Sequence, residues 1–293
     1  MDARMLYLHA ITPVHTGTGQ SVDVIDLPVA REETTGWPYI PASSVKGVFR
    51  DVCQPPKDEN DAHKFWELAF GPETERASEG AGCLMFTDAR IVCLPVRSLM
   101  GTFAWVTCPL VVTRLKRDCS HVGLPFPLDL NLTPARDRIA VTADSALKHN
   151  DRVILEDLDL TIDPNGASAV SSLADQLAAA VFPGDAQWTS ILKKRLAVVN
   201  DDTFGYLCET ATQVTARVRI DENKKTVAPG ALWYEEAVPA ETIFAGPVLC
   251  QPRNGASSTA MYDLLTKTTL IQVGGNASVG RGFVRVCMTG GAK

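Results

Sequence analysis

The chain has no excess of positive charge, no paired-cysteine motif, no long apolar run and no repeat of fixed period. A net charge of −6 excludes a bulk electrostatic nucleic-acid binder, a class that usually shows a high pI. Contact with a polyanion would have to rest on backbone amides and a few aimed cations, such as Arg114 with Lys116 and Arg117, Lys193 with Lys194 and Arg195, or Arg217 with Arg219. The 8 cysteines are scattered and contain no Cys-x-x-Cys pair, and several sit in apolar settings like that of Cys93, so they are expected to be reduced and mostly buried. Cys119 with His121 is the one short metal-like spacing and is too little for a zinc site. No signal-peptide pattern is present and no apolar run approaches the roughly 18 to 20 residues of a membrane span, so a cytoplasmic location without membrane contact is expected.

What is present is ample core material: 293 residues, 45% of them hydrophobic. Strand-like runs cover 6–11, 83–96, 103–112, 214–220, 243–250, 270–273 and 283–288, and helical periodicity covers 44–52, 62–70, 169–181, 189–195 and 258–266. Strands outnumber dispersed helices, which predicts an α+β domain. The stretches 71–82 and 122–136 read as surface loops. In 214–220, Val214, Ala216, Val218 and Ile220 alternate with Thr215, Arg217 and Arg219, giving one apolar and one polar, basic face. A charged turn at 221–225 and a return through 231–236 complete a β-hairpin.

The densest signal lies in the first fifty residues. A His15-Thr16-Gly17-Thr18-Gly19 turn follows the first strand, and Gly17 and Gly19 remove Cβ atoms that would hold a phosphodiester away from the main chain. Asp26 lies just beyond. Ser43 and Ser44 then open a helix that buries Val45, Val48, Phe49 and Val52 and sends Lys46 and Arg50 to another side, a pattern suited to an anion at the helix N-terminus. Asp26 fits two roles: a carboxylate that binds a divalent cation or takes a 2′-OH proton beside an RNA backbone, or a turn aspartate before Pro28 that caps an amide. His15 can orient a phosphate or relay a proton, or be a hydrogen-bonded structural residue. Trp233 and Tyr234, followed by Glu235 and Glu236, can stack on a base or belong to the core. The glycine-rich stretch from Gly274 and Gly275 to Gly280, Arg281 and Gly282 is not a P-loop, because Arg-Gly and a strand follow where Lys-Ser/Thr and a helix are required. Nor does Gly17-x-Gly19 reach a third glycine at the dinucleotide-binding spacing.

Four blocks together resemble one family: residues 15–50; 95–107, with Pro95-Val96-Arg97-Ser98-Leu99 and Phe103-Ala104-Trp105-Val106-Thr107; Leu232-Trp233-Tyr234-Glu235-Glu236; and 272–283. In this order they are similar to the RAMP superfamily of CRISPR proteins, and within it to the repeated backbone subunit of the type III-B (Cmr) effector complex, which carries the target-RNA nuclease. The resemblance implies a ferredoxin-like, RNA-recognition-motif-type palm forming a single RAMP domain over 1–293. Inserted loops would fall at about 54–82 and 113–165, and a thumb-like hairpin at about 206–240 would wedge between guide and target so that nucleotides flip out at regular intervals. It places Asp26 at the family's catalytic aspartate, with His15 and Glu236 as further catalytic candidates. Gly17, Gly19, Ser43, Ser44, Lys46, Arg50, Arg217, Arg219, Trp233, Gly275, Gly280 and Arg281 are then the RNA-binding candidates. It further implies a divalent metal ion, Mg or Mn, at Asp26, and as partners a CRISPR guide RNA, a single-stranded target RNA, copies of itself in a helical stack and other Cmr subunits. Two alternatives stay open at this point: a non-catalytic backbone subunit of a related complex, and a CRISPR-RNA-processing endonuclease.

Overall fold

The run Met5 to Ala10 is buried at every position, because Leu6, Leu8 and Ala10 face one core while Met5 and Tyr7 face a second. A strand covered on both faces has no polar alternation to display. The computed structural model that shows this describes residues 1–19, 25–56, 58–72, 76, 80–126, 132–220 and 227–290. The chain runs through β1 (Asp2–Ala10), β2 (Tyr39–Ile40), α1 (Ala42–Val52), α2 (Asn60–Phe70), β3 (Leu84–Phe86), β4 (Ala89–Arg97), β5 (Phe103–Thr107) and α3 (Pro109–His121). Next come β6 (Arg138–Val141), β7 (Arg152–Leu155), β8 (Leu158–Ile162), α4 (Ala167–Val181), α5 (Ala186–Arg195), β9 (Leu196–Val199) and α6 (Asp201–Thr210). The hairpin β10 (Gln213–Ile220) and β11 (Val227–Ala237) follows, then β12 (Ile243–Cys250), α7 (Ser258–Thr266), β13 (Leu270–Gln272) and β14 (Phe283–Thr289).

One large mixed sheet has the order β13-β14-β1-β12-β4-β5-β9-β6-β8-β7, with β2 added on β4 and β3 on β12. Its centre is the antiparallel palm, where β1 pairs with β12 on one side and β14 on the other. The register Leu8 opposite Phe244 and Val286 puts these buried side chains on the face packed by α1 and α7. The other face is covered by α3, α4 and α5, whose Leu115, Leu173, Leu177 and Leu192 meet Met5 and Tyr7. The fold is therefore the α+β, ferredoxin-like architecture that the sequence implies. Cysteines fill both cores: all eight are free, and burial pushes the Cys53 and Cys250 thiols up to about 11 and Cys93 higher still, so they sit there as small protonated apolar groups.

Several expectations are corrected. The strand expected over 103–112 stops at Thr107, and Pro109 opens α3, where its missing N–H and fixed φ suit the first helical turn. Val111, Val112, Leu115 and Cys119 then follow helical spacing into the core. The run expected over 83–96 is two strands separated at Thr87 and Asp88, whose groups turn to Pro247 and Ala42. Strands β6 to β9 and helix α6 escaped periodicity altogether, because they are short and β9 is buried at every position. Where described, the stretches 71–82 and 122–136 hold no strand and no helix longer than one turn; parts of both, and the charged turn at 221–225, lie outside the described residues. No helix among the described residues is long and apolar enough to cross a membrane.

Trp105 joins the layers, being fully buried while its indole N–H donates to the Glu241 carbonyl at 2.7 Å. Trp105→Ala should cost about 3–5 kcal/mol by cavity formation, with a further loss from the stranded carbonyl. Denaturant titration of the isolated subunit would show this as a lowered midpoint at unchanged m-value.

Candidate active site

Leaving β1, the chain is stitched at once to distant segments. Ile11 N–H donates to Phe283 O at 2.8 Å, Gly282 N–H to Pro13 O at 2.9 Å and Gly275 N–H to His15 O at 2.9 Å, so the glycine-rich loop lies directly on the His15 turn. Val14 and Val238 exchange a pair of backbone bonds at 2.9 and 2.8 Å, which brings in the end of β11. Ala30 N–H donates to Thr16 O at 2.7 Å, folding the Asp26 segment back beside the same turn.

Asp26 sits at the foot of the hairpin. β11 is paired with β10 along one edge, and residues 26 and 27 take the other: Asp26 Oδ2 accepts the Tyr234 N–H at 2.7 Å, Leu27 N–H donates to Tyr234 O at 3.1 Å, and Glu236 N–H to Leu27 O at 3.0 Å. The turn-aspartate and active-carboxylate roles are thus not exclusive, because one oxygen anchors a half-buried side chain to the hairpin strand. His15 is 8% exposed, and its Nδ1 lies 2.6 Å from Glu236 O. A carbonyl only accepts, so Nδ1 carries the proton and Nε2 keeps the lone pair in the neutral ring. The Glu236 carboxylate accepts from Val29 N–H at 3.0 Å and from Arg31 Nη2 at 2.5 Å. Glu235, also buried, lies 3.5 Å from both Arg217 Nη2 and Arg281 Nε, and Arg281 Nη2 reaches Thr215 Oγ1 at 3.3 Å.

A family model described as the RAMP superfamily matches residues 7–285. The chain belongs to the RAMP superfamily. It is 36% identical to the CRISPR system Cmr endoribonuclease Cmr4 of Pyrococcus furiosus over 98% of this chain and 96% of that one. To the CRISPR system CMR subunit Cmr4 of Saccharolobus solfataricus it is 25% identical, over 96% of this chain and 94% of that one. In structure it is similar to oligomeric Cmr4 from Pyrococcus furiosus, with a TM-score of 0.77, 28% identity and 100% of each chain covered. It also shares its fold with a chain of the type III-B Cmr-beta bound to cognate target RNA, with a TM-score of 0.75, 23% identity and 98% and 97% of the chains covered.

In this RAMP protein the hairpin is turned the opposite way from an edge hairpin packed on a core. The apolar side chains Val214, Val218, Ile220, Leu232 and Tyr234 face outward, with Val218 47% and Leu232 55% exposed. Arg217 stands opposite Trp233 on the inward face, which the Glu235–Arg281 contact holds against the glycine-rich loop, while Arg219 is exposed. On α1, Ser43 is exposed and Ser44 and Lys46 are half-buried. The helix start already carries a carboxylate, since Asp88 Oδ1 accepts the Ala42 N–H at 2.8 Å. Arg50 turns away to stack on Trp66 at 4.3 Å and to donate to Gly71 O at 2.6 Å. Lys46 borders a cleft of about 400 Å³ together with Phe70, Met85 and Phe86. Arg31 and Asp88 carried no sequence signal of their own, because their partners Glu236 and Ala42 lie 205 and 46 residues away.

The glycines divide into two kinds. A Cβ on Gly17 would meet His15 Nε2 at 2.8 Å, and one on Gly274 would lie 2.1 Å from His15 O. Gly275 is also backed by the His15 ring, at 3.4 Å, whereas Gly19 and Gly280 have positive φ and, among the described residues, nothing within 4 Å of an added Cβ. Gly274→Ala should therefore break the Gly275–His15 bond and displace the loop, losing about 1–3 kcal/mol. Gly280→Ala, strained only by its φ of +80°, should cost about 1 kcal/mol. Thermal melts of the two variants side by side check the contrast.

Proposed function

We propose that this RAMP protein is a guide-RNA-bound backbone subunit of a type III-B CRISPR effector complex, stacked with copies of itself and joined by other Cmr subunits, that cleaves guide-paired target RNA at regular intervals. The near full-length likeness to a Cmr endoribonuclease carries the reading, and a carboxylate anchored at the foot of a protruding hairpin supports it. The compartment that goes with protonated thiols and an RNA-bound complex is the cytoplasm.

The chemistry follows from one positioned carboxylate beside a splayed strand. Where the hairpin pushes a nucleotide out of the helix, its 2′-OH can swing into line with the departing 5′-oxygen, which regular A-form geometry does not permit. Asp26 accepts the 2′-OH proton, the 2′-oxygen attacks the adjacent phosphorus, and the 5′-oxygen leaves with a proton, giving a 2′,3′-cyclic phosphate and a 5′-hydroxyl. His15 Nε2 also keeps a lone pair in this region. The glycine-rich loop, Ser43, Ser44 and Lys46 on α1, and Arg217, Arg219, Trp233 and Arg281 at the hairpin form the RNA track, with Arg50 bracing α1 from behind.

Among the described residues no three His, Cys, Asp or Glu side chains converge to hold an ion, and Glu235 and Glu236 are committed to arginines. An all-protein metal cage therefore does not fit. Asp26 with RNA oxygens and water does fit Mg²⁺ or Mn²⁺, which typically bind through one or two carboxylates plus substrate phosphates. Bound there, such an ion would neutralise charge building on the phosphate.

Asp26→Asn should leave guide content and assembly intact and lower the cleavage rate by about 10²–10⁴-fold. A target with one 2′-deoxynucleotide should resist at that position and be cut at the others. Near wild-type rates for Asp26→Asn on a denaturing gel would move the chemistry to another residue, and undiminished cutting at the deoxy position would make water the nucleophile.

The outward apolar face of the hairpin is large for a wet surface, and a two-stranded ribbon gains little stability alone. In the stack it is covered by the neighbouring copy. Val218→Lys combined with Leu232→Glu, which sets opposite charges across this directly paired position, should leave the monomer's melting temperature within a few degrees, since both positions are exposed, yet reduce the copies bound per guide in light scattering. Full-length stacks from this variant would place the contact elsewhere.

A further inference from the structure

Every polar group of Glu236 is committed, three of them to residues 27–31 and one to His15. Its N–H donates to Leu27 O at 3.0 Å, its carbonyl accepts from His15 Nδ1 at 2.6 Å, and its carboxylate oxygens take Val29 N–H at 3.0 Å and Arg31 Nη2 at 2.5 Å. The residue is 2% exposed. Arg31 is anchored independently, because its Nη1 donates to Gly36 O at 2.8 Å and to Cys208 O, near the end of α6, at 3.1 Å. Asp26, Val29 and Arg31 share one segment, and Tyr234 and Glu236 share β11. The Arg31–Glu236 pair, with its carboxylate buried and its guanidinium 25% exposed, and the Asp26–Tyr234 bond are therefore two pins through the same two strands.

A pairing strand held only by backbone bonds can slip, and a slip of one residue turns each side chain to the opposite face. Buried ion pairs contribute little net stability, and their best-attested use is to fix register. We propose that Arg31 and Glu236 are positioning residues for target-RNA cleavage: they register the Asp26 segment on β11 and hold His15 beside it, and neither contacts the reacting phosphate. This rests on Asp26 being the reacting carboxylate and moves Glu236 out of the reacting set. The clasp also makes the hairpin strand, Asp26 and His15 one mechanical unit.

The test uses the complex reconstituted with guide RNA and carrying Glu236→Gln, Arg31→Lys, Arg31→Met or Asp26→Asn. The Gln amide offers one oxygen to two donors and sets its own N–H₂ against the other. Arg31→Lys keeps a cation for Glu236 but loses the fork that reaches Gly36 and Cys208. Glu236→Gln and Arg31→Met should lower kcat about 10²-fold, the scale of a 1 Å misplacement, with target KM and guide content within about twofold of wild type. Arg31→Lys should recover part of that loss. Because Arg31→Met leaves a buried carboxylate unpaired and can fail to fold, hydrogen exchange is also read on the milder Arg31→Lys, where the Leu27, Val29 and Tyr234 amides should exchange faster while those of β1 do not.

Unchanged kcat in Glu236→Gln and Arg31→Lys, or unchanged exchange at those amides, overturns the proposal. So does a joint loss of kcat, KM and guide content, which marks a merely structural pair. Glu236→Gln as inactive as Asp26→Asn, with Arg31→Lys fully active, would make Glu236 a reacting group. Failure of the underlying reading looks different: Asp26→Asn itself would then cleave at the wild-type rate.

Discussion

Strand β11 has two edges, and the candidate chemistry depends on what claims the second. The first is taken by β10 to make the hairpin. The second is taken by Asp26 and Leu27, so that the candidate catalytic carboxylate is fastened to the hairpin as well as to the palm. A loop that satisfies its amides on a strand edge loses conformational freedom once, at folding, and need not lose it again when substrate arrives. The His15 turn, the glycine-rich loop and α1 are then arranged around that edge through the bonds of Thr16, Gly275 and Tyr39.

Electrostatics follow the same local logic. A chain of net charge −6 can meet a polyanion only by aiming groups, and much of its positive charge is spoken for internally. Arg114 pairs with Glu32, Arg90 bridges Glu32 and Asp118, and Lys193 pairs with Asp175. The basic clusters visible in the sequence are therefore largely structural. Around the hairpin foot the pattern changes: Glu235 serves two arginines at a stretched 3.5 Å, and among the described residues Glu235 Oε1, Arg281 Nη1 and Arg217 Nε have no hydrogen-bond partner.

The glycines show how one residue type can carry two meanings. Gly17 and Gly274 look in sequence like places made for a phosphate, yet their missing Cβ atoms are filled from within, by the His15 ring and the His15 carbonyl. Gly19 and Gly280 are open to the outside and are the ones with room for a ligand. The distinction is a matter of what approaches from across the fold, and composition cannot supply it.

Local sequence determined the elements whose signal is local. β12 and α7 fall on the expected boundaries because their apolar spacing and the Ser257 cap are contained within about ten residues, and the cysteines were legible as mostly buried, as seven of the eight are. The family blocks pointed to Asp26, His15 and the glycine-rich loop. Tertiary structure alone decided that Pro109 starts a helix, that the hairpin turns its apolar face outward, that Asp88 occupies the start of α1, and that Arg31 and Glu236 clasp the Asp26 segment. Each of these depends on partners tens to hundreds of residues away, and a side chain's periodicity records which way it points along its own strand or helix, not what the folded chain will place opposite it.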